Sequence, residues 1–440
     1  MRTLTRNRYA VVTVLALGLA LSGCGTGSGS DSSQAADTTG PAPTGVTLTM
    51  WHNTADSTAL TNLYKAYEKA SGNKISFVDI PPATFPMTVQ SKWATGARPD
   101  ILEWHGNKMD LLSLNGSKNM IDLSSLPFVK KEGTLAKTSG SLNGKTYAAT
   151  LGTPSVYGVF YNKKVLADAG LKPPTSYADL VGMCSTLKSK ASAVTPIYES
   201  GGSGWSPAVL SGFDYMGQYN KDNAYSQSIV DKKAKLNDPK GPFVAALKAY
   251  DSLRTSHCFN SDAATASWEN SLKAVLNGKA AMVASSTDSI GMLNGFANGD
   301  TKKVDDTIGF VGLSATDSTA NYAPTPLGTY YVPKTGDSKK ERAAVDFIQW
   351  ITGAGYADYV KESKAPPTLS GTAAPDVQEL LSTAYDAYQG GATLTINSVI
   401  PGFGTFGTEA DKLLAGQQSP QDVADKMQKY FLQASAASGQ

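Results

Sequence analysis

Residues 144–164 read GKTYAATLGTPSVYGVFYNKK. Two β-prone runs, 145–151 and 156–162, are rich in Tyr, Thr, Val and Phe, and Gly152-Thr153-Pro154 separates them. Gly and Pro break the pattern too briefly for a free loop, so the stretch predicts an extended ribbon with a kink. The chain has 440 residues, and single cores stop growing near ~250–300 residues. The ribbon is therefore expected to carry the chain from one lobe into another, with a hinge at Gly152-Thr153-Pro154.

Toward the N-terminus, residues 1–8 carry Arg2, Arg6 and Arg8 without an acid; an apolar run, 9–21, leads to Ser22-Gly23-Cys24. A basic head, a short apolar core and small residues form a secretory signal peptide, too short to span well as a mature helix. The ending Leu21-Ser22-Gly23-Cys24 resembles the bacterial lipobox, which makes Cys24 the lipidated first residue after loss of residues 1–23. Removing three arginines lowers 39 basic residues to 36, against 37 acidic ones, so the pI near 8.1 belongs to the precursor. A near-neutral chain offers no electrostatic footprint for nucleic acid. No later stretch reaches membrane-spanning length, which leaves the lipid as the membrane link. Residues 25–45 are Gly, Ser, Thr, Asp and Pro with almost nothing to bury; they read as a flexible tether with a reach of roughly 25 Å.

The globular part begins at Val46. Residues 46–51 form a strand, Asp56 or Ser57 caps a helix carrying Leu60, Leu63, Tyr64 and Tyr67, and Gly72 stops it. A strand at 74–80, a helix at 87–95 and a strand at 100–104 complete βαβαβ, the opening of an open α/β sheet. Ligands on such sheets gather at the carboxyl ends of strands, here His52-Asn53 and Trp104-His105. Beyond the ribbon, Ser176 with Asp179 reads as a capping box before a helix with Leu180, Cys184 and Leu187. Pro242 starts a further helix, 268–276 is another, and 280–284 is a strand running into Ser285-Ser286-Thr287-Asp288. Residues 322–332 form a second kinked ribbon, a return crossing, and 365–370 a third; the remainder is helical. Two cysteines remain after Cys24. Outside the cell Cys184 and Cys258 can join in a structural disulfide within one lobe, the favoured reading, or stay as two buried thiols.

With these pieces in order, the chain resembles the family 1 extracellular solute-binding proteins of bacterial ABC importers, the maltose-binding-like, sugar-leaning branch. The matching residues are Met50-Trp51-His52, Gly96-Ala97-Arg98-Pro99-Asp100-Ile101, Gly144-Lys145-Thr146-Tyr147, Phe160-Tyr161-Asn162-Lys163, Ala169-Gly170-Leu171 before Pro173-Pro174-Thr175-Ser176-Tyr177, Thr195-Pro196-Ile197, and Asn277-Gly278-Lys279-Ala280-Ala281-Met282. The resemblance implies a two-lobed α/β fold of the periplasmic-binding-protein type II, each lobe a sheet with flanking helices, joined by three crossings. The first lobe would be 46–151 plus 329–368 and the second 154–328 plus 369–440. It also implies a monomeric, lipid-anchored receptor on the outer face of the cell membrane. That receptor captures a sugar between its lobes and passes it to the transmembrane subunits of an ABC permease.

Sugars present apolar C–H faces and a rim of hydroxyls, so a site needs flat aromatics and short polar groups. The candidates are His52 and Asn53, Trp104 and His105, and Trp205 in a Gly-rich loop. Trp268, Ser286 and Asp288 follow, then Tyr157, Thr329 and Tyr330 near the crossings, and Phe403 with Phe406 on a late Gly-rich loop. Relatives often place a Gly-Pro-Trp-like turn where this chain has Ser285-Ser286-Thr287-Asp288, which points to polar contacts there. Other chemistries find little support. Residues 402–407 match G-x-G-x-x-G, but no second strand follows to make a βαβ unit, so they read as a loop. There is no G-x-S-x-G and no Walker loop. A secreted glycosidase would need paired carboxylates drawn from Glu103, Glu199 and Glu269, none in a recognisable motif. A metal site would draw on His52, His105 and Glu103, but three histidines in all, without H-x-H or H-E-x-x-H spacing, are a weak metal signal. Neither a metal nor a cofactor is expected, and no turnover.

Overall fold

The computed structural model describes residues 34–437, apart from 82, 83, 213–215, 218, 222, 223 and 326. The signal peptide and the lipidation expected at Cys24 lie outside the described residues. In chain order the strands are β1 (Thr47–Asn53), β2 (Lys74–Ile80), β3 (Ile101–Glu103), β4 (Ser141–Leu142), β5 (Lys145–Thr146), β6 (Ala148–Thr150) and β7 (Ser155–Asn162). They continue as β8 (Thr195–Ile197), β9 (Ala280–Ser286), β10 (Ile308–Val311), β11 (Asn321–Ala323), β12 (Thr329–Tyr331) and β13 (Thr393–Leu394).

The opening βαβαβ unit forms as the periodicity predicts. The Ser57 hydroxyl accepts the Leu60 N–H to start the helix Thr58–Ser71, and Gly72, at φ 72°, ends it. That helix buries Leu60, Leu63, Tyr64 and Tyr67. β1 lies parallel between β2 and β3. The sheet continues through β12 and β6, both antiparallel additions, in the order β2-β1-β3-β12-β6.

The ribbon at 144–164 is divided between three pairings rather than forming one continuous kinked ribbon. β5 pairs with β4, β6 joins the first sheet beside β12, and β7 is a central strand of a second sheet ordered β13-β11-β7-β9-β8, with β10 also on β7. The chain thus changes sheet over residues 151–154 and returns over 324–328, between β11 and β12. The two passages are tied, because Leu151 N–H donates to the Gly328 carbonyl at 2.8 Å. Gly152 has no space for a side chain, since a Cβ would collide with the Leu327 carbonyl and the Thr325 methyl. A third passage runs beside them, where the Thr368 hydroxyl donates to the Thr150 carbonyl at 2.9 Å.

Each sheet is covered by helices, and each has its own buried clusters. One gathers Leu48, Met50, Tyr67, Phe347 and Ile348 on the first sheet; another gathers Val159, Leu180, Phe243, Leu247 and Met282 on the second. Cys184 and Cys258 are joined by a disulfide. The Cys258 carbonyl also accepts the Ile197 N–H, fastening the clip to β8. Among the described residues no helix is long and apolar enough to cross a membrane.

Three expectations are corrected. Residues 34–45, read as tether, run along the first lobe: Ala36 N–H donates to Asp122 O, Asp122 N–H donates to Gln34 O, and Asn73 donates to Pro43 O. Backbone pairing needs no apolar side chains, so composition gave no sign of it. The Ser176 hydroxyl caps the helix Tyr177–Lys190, but Asp179 reaches back to the N–H and hydroxyl of Thr175 rather than to Ser176. Residues 402–407 are not a loop: Phe403–Thr405 is a 3-10 turn running into the helix Phe406–Leu414.

Candidate functional site

At the carboxyl end of the first sheet, β1 and β3 bring titratable groups together. His52 Nδ1 lies 3.1 Å from Asp56 Oδ2, and its Nε2 lies 2.7 Å from Asp79 Oδ1 at the end of β2. Glu103, wholly buried at the end of β3, accepts the Asn53 N–H at 2.8 Å and the Gly328 N–H at 2.7 Å. The Gly328 bond places this cluster directly against the return crossing. Tyr64 OH donates to Asp56 and contacts Tyr330 OH, both bonds at 2.7 Å. Burial, and then the facing Asp56 carboxylate, push the Glu103 carboxyl well above the usual range. For His52, burial alone would lower the imidazole's pKa, but the carboxylates of Asp56 and Asp79 outweigh it and leave the ring raised.

The second lobe builds a different surface beside the first crossing. A cavity of about 240 Å³ is lined by Tyr157, Trp205, Thr395, Asn397, Phe403 and Phe406, with glycine backbone between them. Trp205 meets Trp268 edge-on, ring centres 5.2 Å apart, and Trp268 Nε1–H donates to the Ser285 hydroxyl at 3.1 Å. Phe403 and Phe406 both pack on Phe243, at 5.5 and 5.4 Å. Gly407 lets the helix Phe406–Leu414 approach the Trp205 loop, because a Cβ there would collide with the Gly204 carbonyl. Behind that loop, Glu199 accepts the Ser200 N–H at 2.9 Å, the Ser206 hydroxyl at 2.8 Å and Tyr250 OH at 3.2 Å. Burial pushes its carboxyl up to about 7, the three donors notwithstanding.

Of the residues named from sequence, Tyr157, Trp205 and Phe403 meet at this one cavity, with Phe406. Trp268 stands behind Trp205, half-buried. Ser286 pairs with Tyr157 across β9 and β7, and its hydroxyl donates to Asp288, which also accepts from Ser155 at the crossing. His52 and Asn53 belong to the first-lobe cluster. His105 sits apart from it, bonded to Asp110 at 2.9 Å.

Trp104, Thr329 and Tyr330 are corrected: all are 0 % exposed and packed inside the first lobe. Trp104 stacks on His105, and its Nε1–H is satisfied by the Asp110 carbonyl. The Thr329 hydroxyl donates to Thr325 O. Strand-end residues point alternately to the two faces of a sheet, and these point into the core. Sequence reading missed Asp56 and Asp79 as partners of His52, Asp56 having been considered only as a helix cap. It also missed Thr395 and Asn397, which carry no motif. The three carboxylates considered for hydrolysis are dispersed: Glu103 in the first-lobe cluster, Glu199 behind the Trp205 loop and Glu269 exposed in the first turn of the helix Trp268–Leu276.

A family model described as bacterial extracellular solute-binding protein matches residues 62–388. No curated protein sequence matches the chain. Among solved structures, a chitin oligosaccharide binding protein superposes with a TM-score of 0.71 at 20 % identity, covering 89 % of this chain and 99 % of that one. The apo form of RafE from Streptococcus pneumoniae gives 0.70 at 18 % identity, with 89 % and 98 % covered. A family 1 extracellular solute-binding protein from Bifidobacterium longum subsp. infantis gives 0.68 at 18 %, with 89 % and 100 % covered. At these identities the likeness is one of fold.

Proposed function

The chain belongs to the bacterial extracellular solute-binding protein family, and from that premise we propose that it captures a sugar, mono- or oligosaccharide, between its two lobes without turning it over. The observation that carries this reading is the aromatic cavity: half-buried Tyr157 and Trp205 offer faces for sugar C–H groups, the buried Phe403 and Phe406 back them, and the exposed Asn397 offers a partner for hydroxyls. The neighbours' own descriptions, chitin oligosaccharide binding and RafE in complex with raffinose, point to the same ligand class. The lobes divide near 151–154, 328–329 and 368–369, and ligand contacts from both stabilise the closed state over the open one. His52 and Asn53 are the first-lobe candidates for those contacts; Tyr157, Trp205, Trp268, Ser286, Asp288 and Phe403 are the second-lobe ones. Capture serves delivery to an ABC permease, with the receptor held at the membrane by lipid on Cys24.

Calorimetric titration against a panel of mono- and oligosaccharides tests the reading, with product analysis of the same mixtures. Saturable binding without new products is the expected result. Released products would make the protein a glycosidase; binding confined to a non-sugar solute would overturn the ligand class.

A further inference from the structure

The first-lobe cluster holds two buried carboxyls, with His52 as the one basic side chain bonded to it among the described residues. Asp56 and Glu103 are buried carboxyls, the Asp56 side chain only 3 % exposed, and among the described residues no Lys or Arg pairs with either. Asp56 Oδ1 is buried and accepts no N–H or hydroxyl hydrogen bond among the described residues, with the Glu103 carboxyl as its polar neighbour. One donor atom each from His52, Asp56 and Glu103 lies within 4.8 Å of the others.

The surroundings are those of a ligand set held from behind. His52 has its Nε2 on the Asp79 carboxylate, which turns Nδ1 toward Asp56. A carboxylate on the far nitrogen is the usual way a metal-binding histidine is oriented and its tautomer fixed. The carboxyls are steadied as well, Asp56 by Tyr64 OH and Glu103 by two backbone N–H groups. His105 lacks this arrangement, having a single carboxylate partner, Asp110.

We propose that His52, Asp56 and Glu103 form a site for one divalent ion of the zinc or manganese kind, with Asp79 orienting His52. One imidazole nitrogen with two carboxylates suits these ions better than calcium or magnesium, which favour oxygen alone. Donors on one such ion sit at about 2.0–2.2 Å from it, hence up to about 4 Å apart, so the cluster needs to contract only slightly. Entry is from the edge at His52, whose side chain is 14 % exposed, and Asp79, at 69 %.

The test is independent of any sugar. The intact chain is stripped with chelator and dialysed, then titrated with zinc chloride by calorimetry and with manganese chloride by electron paramagnetic resonance. One equivalent is expected, with a saturable rise in melting temperature. Asp56→Asn and His52→Gln should weaken the site more than a hundredfold and Asp79→Asn by ten- to a hundredfold, while His257→Gln leaves it unchanged. Circular dichroism confirms folding, and Asp79→Asn, altering an exposed side chain, keeps the test valid if a buried variant misfolds. Absence of saturable uptake, or full uptake by Asp56→Asn or Asp79→Asn, overturns the proposal; Asp56 and Glu103 then share a proton.

Discussion

The two lobes meet at the same crossings and present opposite chemistries there. Beside the return passage the first lobe offers His52, Asp56 and Glu103, polar and largely buried, with backbone N–H groups holding the Glu103 carboxyl. Beside the outward passage the second lobe offers Tyr157, Trp205, Phe403 and Phe406 around an open cavity. The difference follows from what each surface rests on. Charges require fixed partners to survive burial, and strand ends with their backbone donors supply them. Aromatic faces require packing support instead, and Phe243, Trp268 and the close approach at Gly407 provide it. On the proposed sugar-binding reading, the polar face would meet hydroxyls and the aromatic face ring C–H groups.

The largest effect expected from disturbing this contrast lies in the second lobe. The disulfide encloses residues 74 apart in sequence and anchors β8, which leads into Glu199 and the Trp205 loop. Replacing Cys184 and Cys258 by alanine should cost about 2–5 kcal/mol in chemical denaturation. An unchanged midpoint would show that the aromatic wall stands without the clip.

Next is Glu199, whose carboxyl titrates near 7 in the folded chain and near ~4.3 unfolded. An acid with a raised folded pKa contributes stability that is complete below the unfolded value and fades as pH rises through the folded one. Wild-type stability should therefore decline between about pH 4.5 and 7 by about 3 kcal/mol from this group. Glu199→Gln should flatten that slope in denaturation curves taken across the range. An equal slope in both proteins would remove Glu199 as its source.

Trp205→Ala should weaken sugar binding at least tenfold, about 1.4 kcal/mol, with the fold intact by circular dichroism. Unchanged affinity would move the stacking role elsewhere on the wall. The smallest effect belongs to the first lobe. Asp79 is 69 % exposed, so Asp79→Asn in chelated protein should cost under about 1 kcal/mol. Because the His52 pKa is raised, that cost should be present in acid and vanish as pH rises through the imidazole's range. A persistent cost at alkaline pH would mean that Asp79 acts by packing rather than charge.

Periodicity and caps made much of the fold legible. Strand β2 and the helix Trp268–Leu276 occur at the residues their patterns predict, and Ser57 and Gly72 bound the first helix. The residues around the second-lobe cavity were partly legible, because a tryptophan in a Gly-rich loop such as Trp205 sits at the edge of its core and stays half-buried. Trp104 was not, since an aromatic at a strand end reads alike whether it faces ligand or core. Asp56 was equally ambiguous: its place before a helix explains it fully until Asp79, Glu103 and Tyr64 come up around it.

What the sequence determined by itself was local: which segments become helices and strands, where they stop, and that the ribbon at 144–164 is broken at Gly152-Thr153-Pro154. Hydrophobic period and turn chemistry act over a few residues, so a few residues suffice to read them. The tertiary structure alone decided that this ribbon divides among three pairings and that residues 34–45 lie along the first lobe. It alone brought Thr395 and Asn397 to Tyr157, and Asp79 and Glu103 to His52. Those contacts join residues 27 to more than 200 positions apart, and side-chain direction at each is set by the sheet beneath it rather than by its neighbours in sequence.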